Sequence, residues 1–263
     1  LKKIYSIFLF FLIGLAPLSA DLIRAEVGAG AWISDNSGSV NYQGDNIELD
    51  NILGLEETTA PYLWVNFKHF IPVIPNARVE VLKLGIDGTE SLSKNFEFGG
   101  QEFTLSDKVE SDLNLDQFDI ILYYNFLDNL MWLTLDIGAG VKYYSGYLNL
   151  KNDTANIKER VDIDFPIPIL YGRVGAKIPF TNIGAEADLK YFRFEPLVDA
   201  EMIDFRIKAD INIIELFIVD LNVEFGYRVQ RLMIDAEDNS FSDFSAKAKT
   251  ELEGFFGGVS IKF

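Results

Sequence analysis

The stretch Leu133-Thr134-Leu135-Asp136-Ile137-Gly138-Ala139-Gly140-Val141-Lys142-Tyr143 alternates without a break. Leu133, Leu135, Ile137, Ala139, Val141 and Tyr143 fall on one phase; Thr134, Asp136, Gly138, Gly140 and Lys142 fall on the other. A repeat of two is the side-chain period of a β-strand, and a strand that keeps it this long has faces in two different surroundings. The same split recurs at Ile23, Ala25, Val27, Ala29, Ala31, Ile33 against Arg24, Glu26, Gly28, Gly30, Trp32, and at Ile203, Phe205, Ile207, Ala209, Ile211 against Asp204, Arg206, Lys208, Asp210, Asn212. No sustained helical period competes with it.

Extending this reading places ten strands, at 22–34, 58–70, 76–86, 113–126, 130–147, 165–178, 182–194, 201–213, 219–235 and 246–263, with eight and twelve as the neighbouring even counts. The third strand is the weakest, because Val81-Leu82-Lys83-Leu84 loses phase as a bulge would. Short links at 71–75, 127–129, 179–181 and 214–218 alternate with long polar links at 35–57, 87–112, 148–164 and 236–245, and only 195–200 departs from the rule. An antiparallel up-and-down barrel with its long loops at one end produces this alternation, and an even strand count returns both termini to the other end. No Gly/Pro/Ser-rich linker divides the chain, so 21–263 reads as one domain.

The segment before it reads differently. Lys2 and Lys3, the apolar run from Ile4 to Leu15, and Leu18-Ser19-Ala20 have the layout of a secretory signal peptide cut after Ala20. The whole chain has 263 residues, is 49% hydrophobic and 14% aromatic, contains no cysteine and one histidine, and carries a formal charge of −17. That composition excludes a disordered chain and a disulfide-stapled fold, and the acidity argues against a nucleic-acid partner, whose phosphates call for clustered Lys and Arg.

Alternation alone leaves open whether the apolar face points into a soluble barrel or outward into lipid. Several expected strands exceed the roughly 9–11 residues of a tilted membrane-spanning strand. Aromatic residues gather near expected strand ends, where interfacial girdles would lie: Tyr123, Tyr124, Phe126, Trp132, Tyr143, Tyr144, Tyr147, Phe180, Tyr191, Phe192, Phe194, Phe217 and Phe263. The chain ends Gly254-Phe255-Phe256-Gly257-Gly258-Val259-Ser260-Ile261-Lys262-Phe263. Phe255, Val259, Ile261 and terminal Phe263 on one phase resemble the last strand of bacterial outer-membrane β-barrel proteins. The resemblance implies a transmembrane barrel in the outer membrane of a Gram-negative cell, in contact with lipid and lipopolysaccharide, whose final strand is recognised by the barrel-assembly machinery.

With the apolar face outward, the inward face carries the cations Arg24, Lys68, Arg78, Lys142, Arg173, Lys177, Lys190, Arg206, Lys208, Arg228 and Lys262. Facing them are the acids Glu26, Glu80, Asp119, Asp136, Glu186, Asp188, Asp204, Asp210 and Glu224. Two readings stay open at this point: a cross-strand ion-pair network that fills the lumen, or a narrow water-filled path that selects small ions. Ten strands lie near the closed end of the barrel series, since about eight are just filled by side chains and open channels need about 16–18. Glu26 on the first strand and Lys262 on the last are expected to pair across the closing seam. Inward glycines, among them Gly28, Gly30, Gly138, Gly184 and Gly226, make room either for solvent or for long Arg and Lys arms.

Catalysis finds no constellation. Cysteine is absent, and His69 sits on the apolar phase beside a short link, where it reads as an interfacial residue; the barrel enzymes of the outer membrane place their catalytic groups at the long-loop end. No Cys/His cluster or calcium-loop spacing suggests a resident metal or cofactor. The links 35–57, 87–112, 148–164, 195–201 and 236–245 hold 23 of the chain's 40 acids and 5 of its 23 bases, nearly all of the net charge. Such loops would attract loosely held divalent cations at the outer surface. The expected roles are therefore envelope structure or surface interaction through acidic loops, or a narrow cation-preferring pore, with no enzymatic activity.

Overall fold

The computed structural model describes residues 23–104, 108–127, 132–152, 155–195, 199–216, 219–236 and 246–263; the segment 1–20, read above as a signal peptide, and most of the 236–245 link lie outside them. The wall is built from β1 (Ile23–Tyr42), β3 (Glu57–His69), β4 (Asn76–Leu82) continued by β5 (Gly85–Ser91), β8 (Lys108–Asn125), β9 (Leu133–Asn152), β10 (Ile157–Lys177), β11 (Ile183–Phe194), β12 (Asp199–Leu216), β13 (Val219–Ala236) and β14 (Ala246–Lys262). Each is antiparallel to the next, and β14 pairs with β1 to close the barrel. At the short-turn end closure pairs every wall strand on both sides, as a lipid environment requires, whereas farther up β5 pairs only β8 and the 157–169 part of β10 only β9.

Two differences from the sequence reading concern the outer end. The third strand is broken, with β4 and β5 both pairing β8 on either side of Lys83-Leu84, where the phase was lost. The long links are also largely strand: β1 runs to Tyr42, and the β9–β10 ladder continues to Asn152 opposite Ile157. Inside the remaining links lie β2 (Ile47–Glu48), which pairs β1, and a hairpin of β6 (Phe96–Phe98) and β7 (Gln101–Phe103). That hairpin turns at Gly99-Gly100, both with positive φ, as a two-residue turn requires.

The structure also divides each strand at a level the alternation did not show. On β8 the outward residues are Glu110, Asp112, Asn114 and Asp116, then Phe118, Ile120, Leu122 and Tyr124. The inward residues run Val109, Ser111, Leu113 and Leu115 and then Gln117, Asp119, Ile121 and Tyr123, so a buried charge enters only below the exchange. The exchange falls between Ser145 and Tyr143 on β9, Asp164 and Pro166 on β10, Arg193 and Tyr191 on β11, Glu201 and Ile203 on β12, Arg231 and Val229 on β13, and Glu253 and Phe255 on β14. Following the strand register, this line stays level or steps toward the short-turn end, always in one direction, as a horizontal line must on tilted, staggered strands.

Below the line the outside is apolar and the inside holds the buried charges, interspersed with Ile121, Tyr123, Ile167, Ile169 and Tyr171; above it the inside is mainly apolar and the outside acidic. The lower part is a lipid-facing band, and its outward row on β9, 133–143, has the length of a tilted membrane span. The upper part is an extramembrane extension with a core like that of a soluble domain, made of Ile47, Leu53, Leu55, Phe96, Phe98 and Phe103 packed on inward Val109, Leu113, Leu148 and Leu150. Phe96 and Phe103 stack at 5.0 Å, and Tyr42 meets Phe98 at 5.7 Å. Asp45 and Glu97 tie the hairpin to the segment after β1 through both backbone groups, N–H to Glu97 O at 2.8 Å and Glu97 N–H to Asp45 Oδ2 at 2.9 Å.

Candidate functional site in the barrel lumen

Below the apolar cap, the inward rows of the wall meet at the barrel axis. Lys142 on β9 reaches Asp119 on β8 at 2.9 Å and Asp204 on β12 at 3.2 Å. Lys190 on β11 bonds Asp119 at 2.6 Å and also Glu80 on β4, which is held in turn by Arg78. Arg228 on β13 grips Asp204 with two prongs, at 2.8 and 2.7 Å. Arg206 on β12 bonds Asp188 at 2.9 Å and crosses to Glu80 at 3.3 Å. The amides of Gln117 on β8 and Gln230 on β13 bond each other at 2.7 and 2.8 Å.

Strand order makes these bonds informative. In a ten-stranded ring, β4 and β12 stand opposite each other, as do β8 and β13, so the Arg206–Glu80 and Gln117–Gln230 bonds span the full diameter of the lumen. Arg78, Asp119, Lys142 and Lys190 are each about 1% exposed, so bulk water does not reach them. A cavity bordered by Tyr62, Trp64, Glu80, Gln117, Asp119, Lys142, Arg206 and Arg228 measures about 10 Å³, room for about one water molecule.

Toward the short-turn end the network continues with thinner packing. Lys208 bonds Glu224 at 2.8 Å and lies 3.6 Å from Glu186. Arg173 bonds Asp136 at 2.7 Å and Glu186 at 3.3 Å. Tyr62 Oη and Trp64 Nε1 donate to the Glu224 carboxylate at 3.0 and 3.3 Å. The indoles also cover cations: Arg78 lies 4.7 Å over Trp64 and Arg228 4.8 Å over Trp32. These three aromatic residues belong to the site although the charge pattern did not select them. Their signal in the sequence was the inward phase itself, Trp32 on β1 and Tyr62 and Trp64 on β3.

Other expected members stand apart. Glu26 and Lys262 face each other in the β1–β14 register and pair at 3.2 Å, at the seam and partly exposed. Arg24 and Lys177 are exposed at the short-turn rim, and Lys68 and Asp210 lie half-buried near it. They are not part of the central network because the wall opens there to solvent. The inward glycines make room for rings and backbone more than for cationic arms. A Cβ at Gly28 would overlap the Trp64 indole, one at Gly30 the Tyr62 ring, and one at Gly138 the Tyr123 main chain.

Four of the expected girdle aromatics are corrected: Tyr123 and Tyr144 are buried in the lumen, on the inward phase of β8 and β9, and Phe192 and Phe194 share the inward phase of β11 with Lys190, Phe192 packing on the core. Tyr124, Phe126 and Tyr143 are exposed on the outward phase, Trp132 and Phe180 are exposed at the short-turn end, and Phe217 lies outside the described residues. Phe255, Val259, Ile261 and Phe263 are also exposed, a lipid-facing row along β14. Just above the band, the outer wall carries its own polar contacts. Tyr147 donates to Asp112 at 3.0 Å, which holds its hydroxyl proton above the usual tyrosine range, and Arg160 stacks 3.8 Å over the Tyr147 ring. Among the described residues, no group of three or more His, Asp or Glu side chains is arranged to hold a metal ion.

A closed antiparallel barrel with an apolar outer band and charged residues buried inside defines the class: the fold is that of a transmembrane β-barrel of the outer-membrane type. No protein-family model matches the chain, and no curated protein matches it. Solved structures of similar shape include the outer membrane protease OmpT from Escherichia coli, with a TM-score of 0.49 at 11% identity over 94% of this chain and 99% of that one. They also include the translocator domain of the autotransporter NalP from Neisseria meningitidis (0.41, 9%, 100% and 95%) and a FadL homologue from Pseudomonas aeruginosa (0.35, 7%, 92% and 90%).

Proposed function

We propose that this protein is a closed, non-conducting barrel that anchors a rigid acidic platform at the cell surface, with an envelope-structural or surface-interaction role and no catalytic step. The observation that carries this reading is the set of bonds across the lumen diameter, Arg206 to Glu80 and Gln117 to Gln230, beneath an apolar cap. A hydrated ion crossing this interior would have to break several buried ion pairs at once, and buried pairs are costly to separate. The cation-preferring pore expected as the alternative draws no support from such packing.

The platform is the upper wall. Asp35, Glu57 and Glu253 are direct cross-strand neighbours on its outer face, and Asp116, Asp162, Asp164 and Glu201 continue the acidic surface above the lipid band. Lys83 pairs with Asp116, Arg160 with Asp162 at 2.9 Å and Arg231 with Glu251 at 2.6 Å, so cations are interspersed but outnumbered. Divalent cations drawn to this wall would link it to lipopolysaccharide phosphates. The reading is tested by reconstituting the folded protein in vesicles loaded with small sugars and potassium. Retention equal to that of protein-free vesicles is expected, and size-dependent leakage would refute it.

A further inference from the structure

Between β10 and β11 the upper wall is open. β11 pairs β10 only from Leu170 to Lys177, and above Leu170 no strand of the described residues pairs the side of β10 that faces β11. β10 continues upward to Ile157, whereas β11 ends at Phe194 and β12 begins at Asp199, so the wall is low on that side. Consecutive residues of an antiparallel strand turn their N–H and C=O groups to alternate sides. Lys177 N–H bonds Trp132 O on the β9 side, and the next residue, Ile178, bonds Ile183 O on the β11 side. Odd residues of β10 therefore serve β9, and the even ones from Lys158 to Pro168 aim at the opening.

The residues suit an open edge. At the upper rim of the lipid-facing band the even positions are Pro166 and Pro168, which have no N–H to leave unpaired there. Above them Lys158, Arg160, Asp162 and Asp164 carry their N–H groups in water, with exposed side chains on the outward face. Such charges are the usual guard of an edge strand. The inward face has no such guard: Ile157, Val161, Ile163 and Phe165 pack on the core but are only half-buried, whereas Leu148 and Leu150 on neighbouring β9 are 3% and 0% exposed. Across the opening, on the inward phase of β11, Phe192 is half-buried and Phe194 is exposed, their rings stacked at 6.5 Å.

We propose that the β10 edge from Lys158 to Asp164 is a docking strand for an extended segment of a partner polypeptide, added antiparallel as a further strand of the outer wall. The free backbone groups call for a peptide rather than a lipid. The side chains set its sequence. Counted from its N-terminus, the outward residues facing Asp164, Asp162, Arg160 and Lys158 are basic, basic, acidic and acidic, and those between them are apolar and pack beside Val161 and Ile163. β10 itself, Lys158-Glu159-Arg160-Val161-Asp162-Ile163-Asp164, has this order of charges. A second copy is not the occupant, because two barrels upright in one membrane run their β10 strands in the same direction and antiparallel pairing is closed to them. The partner is a different polypeptide at the cell surface. This gives the surface-interaction reading above a partner class and rests on it for the exposure of this wall to the exterior; a conducting lumen would leave it standing.

The probe is a synthetic peptide with the sequence of Ile157–Phe165 and an N-terminal fluorophore, added to the folded protein in lipid nanodiscs. Saturable binding by fluorescence anisotropy is expected. With it should come at least tenfold slower hydrogen exchange at the amides of Lys158, Arg160, Asp162 and Asp164, which exchange fast in the free protein. The same peptide N-methylated at the positions matching Arg160 and Asp162 keeps its side chains and should bind at least tenfold more weakly. In the protein, Asp162→Pro removes one edge donor on the phase that already holds Pro166 and Pro168, leaves the β9 ladder whole, and should weaken binding several-fold with the heat-stable gel mobility unchanged. Binding that N-methylation leaves unaltered, or that slows none of these amides, would overturn the proposal. So would protection without peptide, from the nanodisc lipid or from rising protein concentration, which would assign the opening to acyl chains or to a second copy. Solute retention by vesicles is a separate measurement, so failure here is distinguishable from failure of the closed-lumen reading.

Discussion

Asp204 is the residue on which the lumen network most depends, and its removal has a calculable consequence. Its carboxylate is 2% exposed and receives two bonds from Arg228, one from Lys142 at 3.2 Å, an approach by Lys190 at 3.7 Å and the Gln230 amide at 3.3 Å. In Asp204→Ala the two lysines keep Asp119, at 2.9 and 2.6 Å, so the loss falls on Arg228, which is left with the face of Trp32 at 4.8 Å. Stranding one member of a buried pair costs about 3–5 kcal/mol. The retained cation–π contact, of order 1–2 kcal/mol when desolvated, places the expected loss at the lower end, about 3 kcal/mol. The assay is reversible urea unfolding in lipid vesicles, followed by tryptophan emission. The double variant Asp204→Ala/Arg228→Met removes the stranded charge and should recover at least half of the loss, since apolar replacement of a buried pair is often neutral. A single-variant loss below about 1 kcal/mol, or a double variant whose loss is the sum of the two singles, would refute the argument that these charges are buried and mutually dependent.

Other variants probe other parts of the account. Lys262→Ala removes a seam pair whose side chains are 32% and 20% exposed, so it should cost less than about 1 kcal/mol and leave the heat-stable gel mobility of the folded form nearly unchanged. Ile207→Lys, in the middle of the outward band, should lower unfolding stability by about 2–4 kcal/mol, whereas Thr89→Lys on the extramembrane wall should change it by less than about 0.5 kcal/mol in the same urea titration. Gly28→Val forces the Trp64 indole from its place over Arg78 and beside Glu224, with an expected cost of about 1–3 kcal/mol and a visible shift in tryptophan emission.

The barrel was legible because Leu133–Tyr143 and its counterparts put lipid on one side and a charged interior on the other, and a two-residue period records that contrast directly. The broken third strand was legible for the same reason, as a loss of phase at Val81-Leu82-Lys83-Leu84. The extramembrane core was not. Above the exchange line both faces remain alternating, but the apolar one turns inward, and period alone does not say which medium lies on which side. Val109, Leu148 and Leu150 looked like loop residues because the surrounding acids, Glu110, Asp112, Asp162 and Asp164, dominated their stretches.

The candidate site divides in the same way. The inward charges could be enumerated from phase, and the Glu26–Lys262 register followed from closing the ring. Which cation meets which acid across the lumen depends on strand stagger and barrel diameter, so the joining of β4 to β11 and β12 through Glu80 had no local signal. Tyr123 and Tyr144 were grouped with the girdle on nearness to strand ends, although their phase already placed them inside. His69 was placed at an interface by its apolar phase, while its two bonds to the turn backbone, at Ile71 N–H and Pro75 O, depend on a geometry that Pro72 and Pro75 impose.

The central claim is that the lumen is shut, and single-channel recording in planar bilayers tests it most directly. Verified folded protein should give no conductance steps above the bare-membrane baseline across the voltage range, at neutral pH and in molar potassium chloride. Steady ion-selective steps would contradict the account.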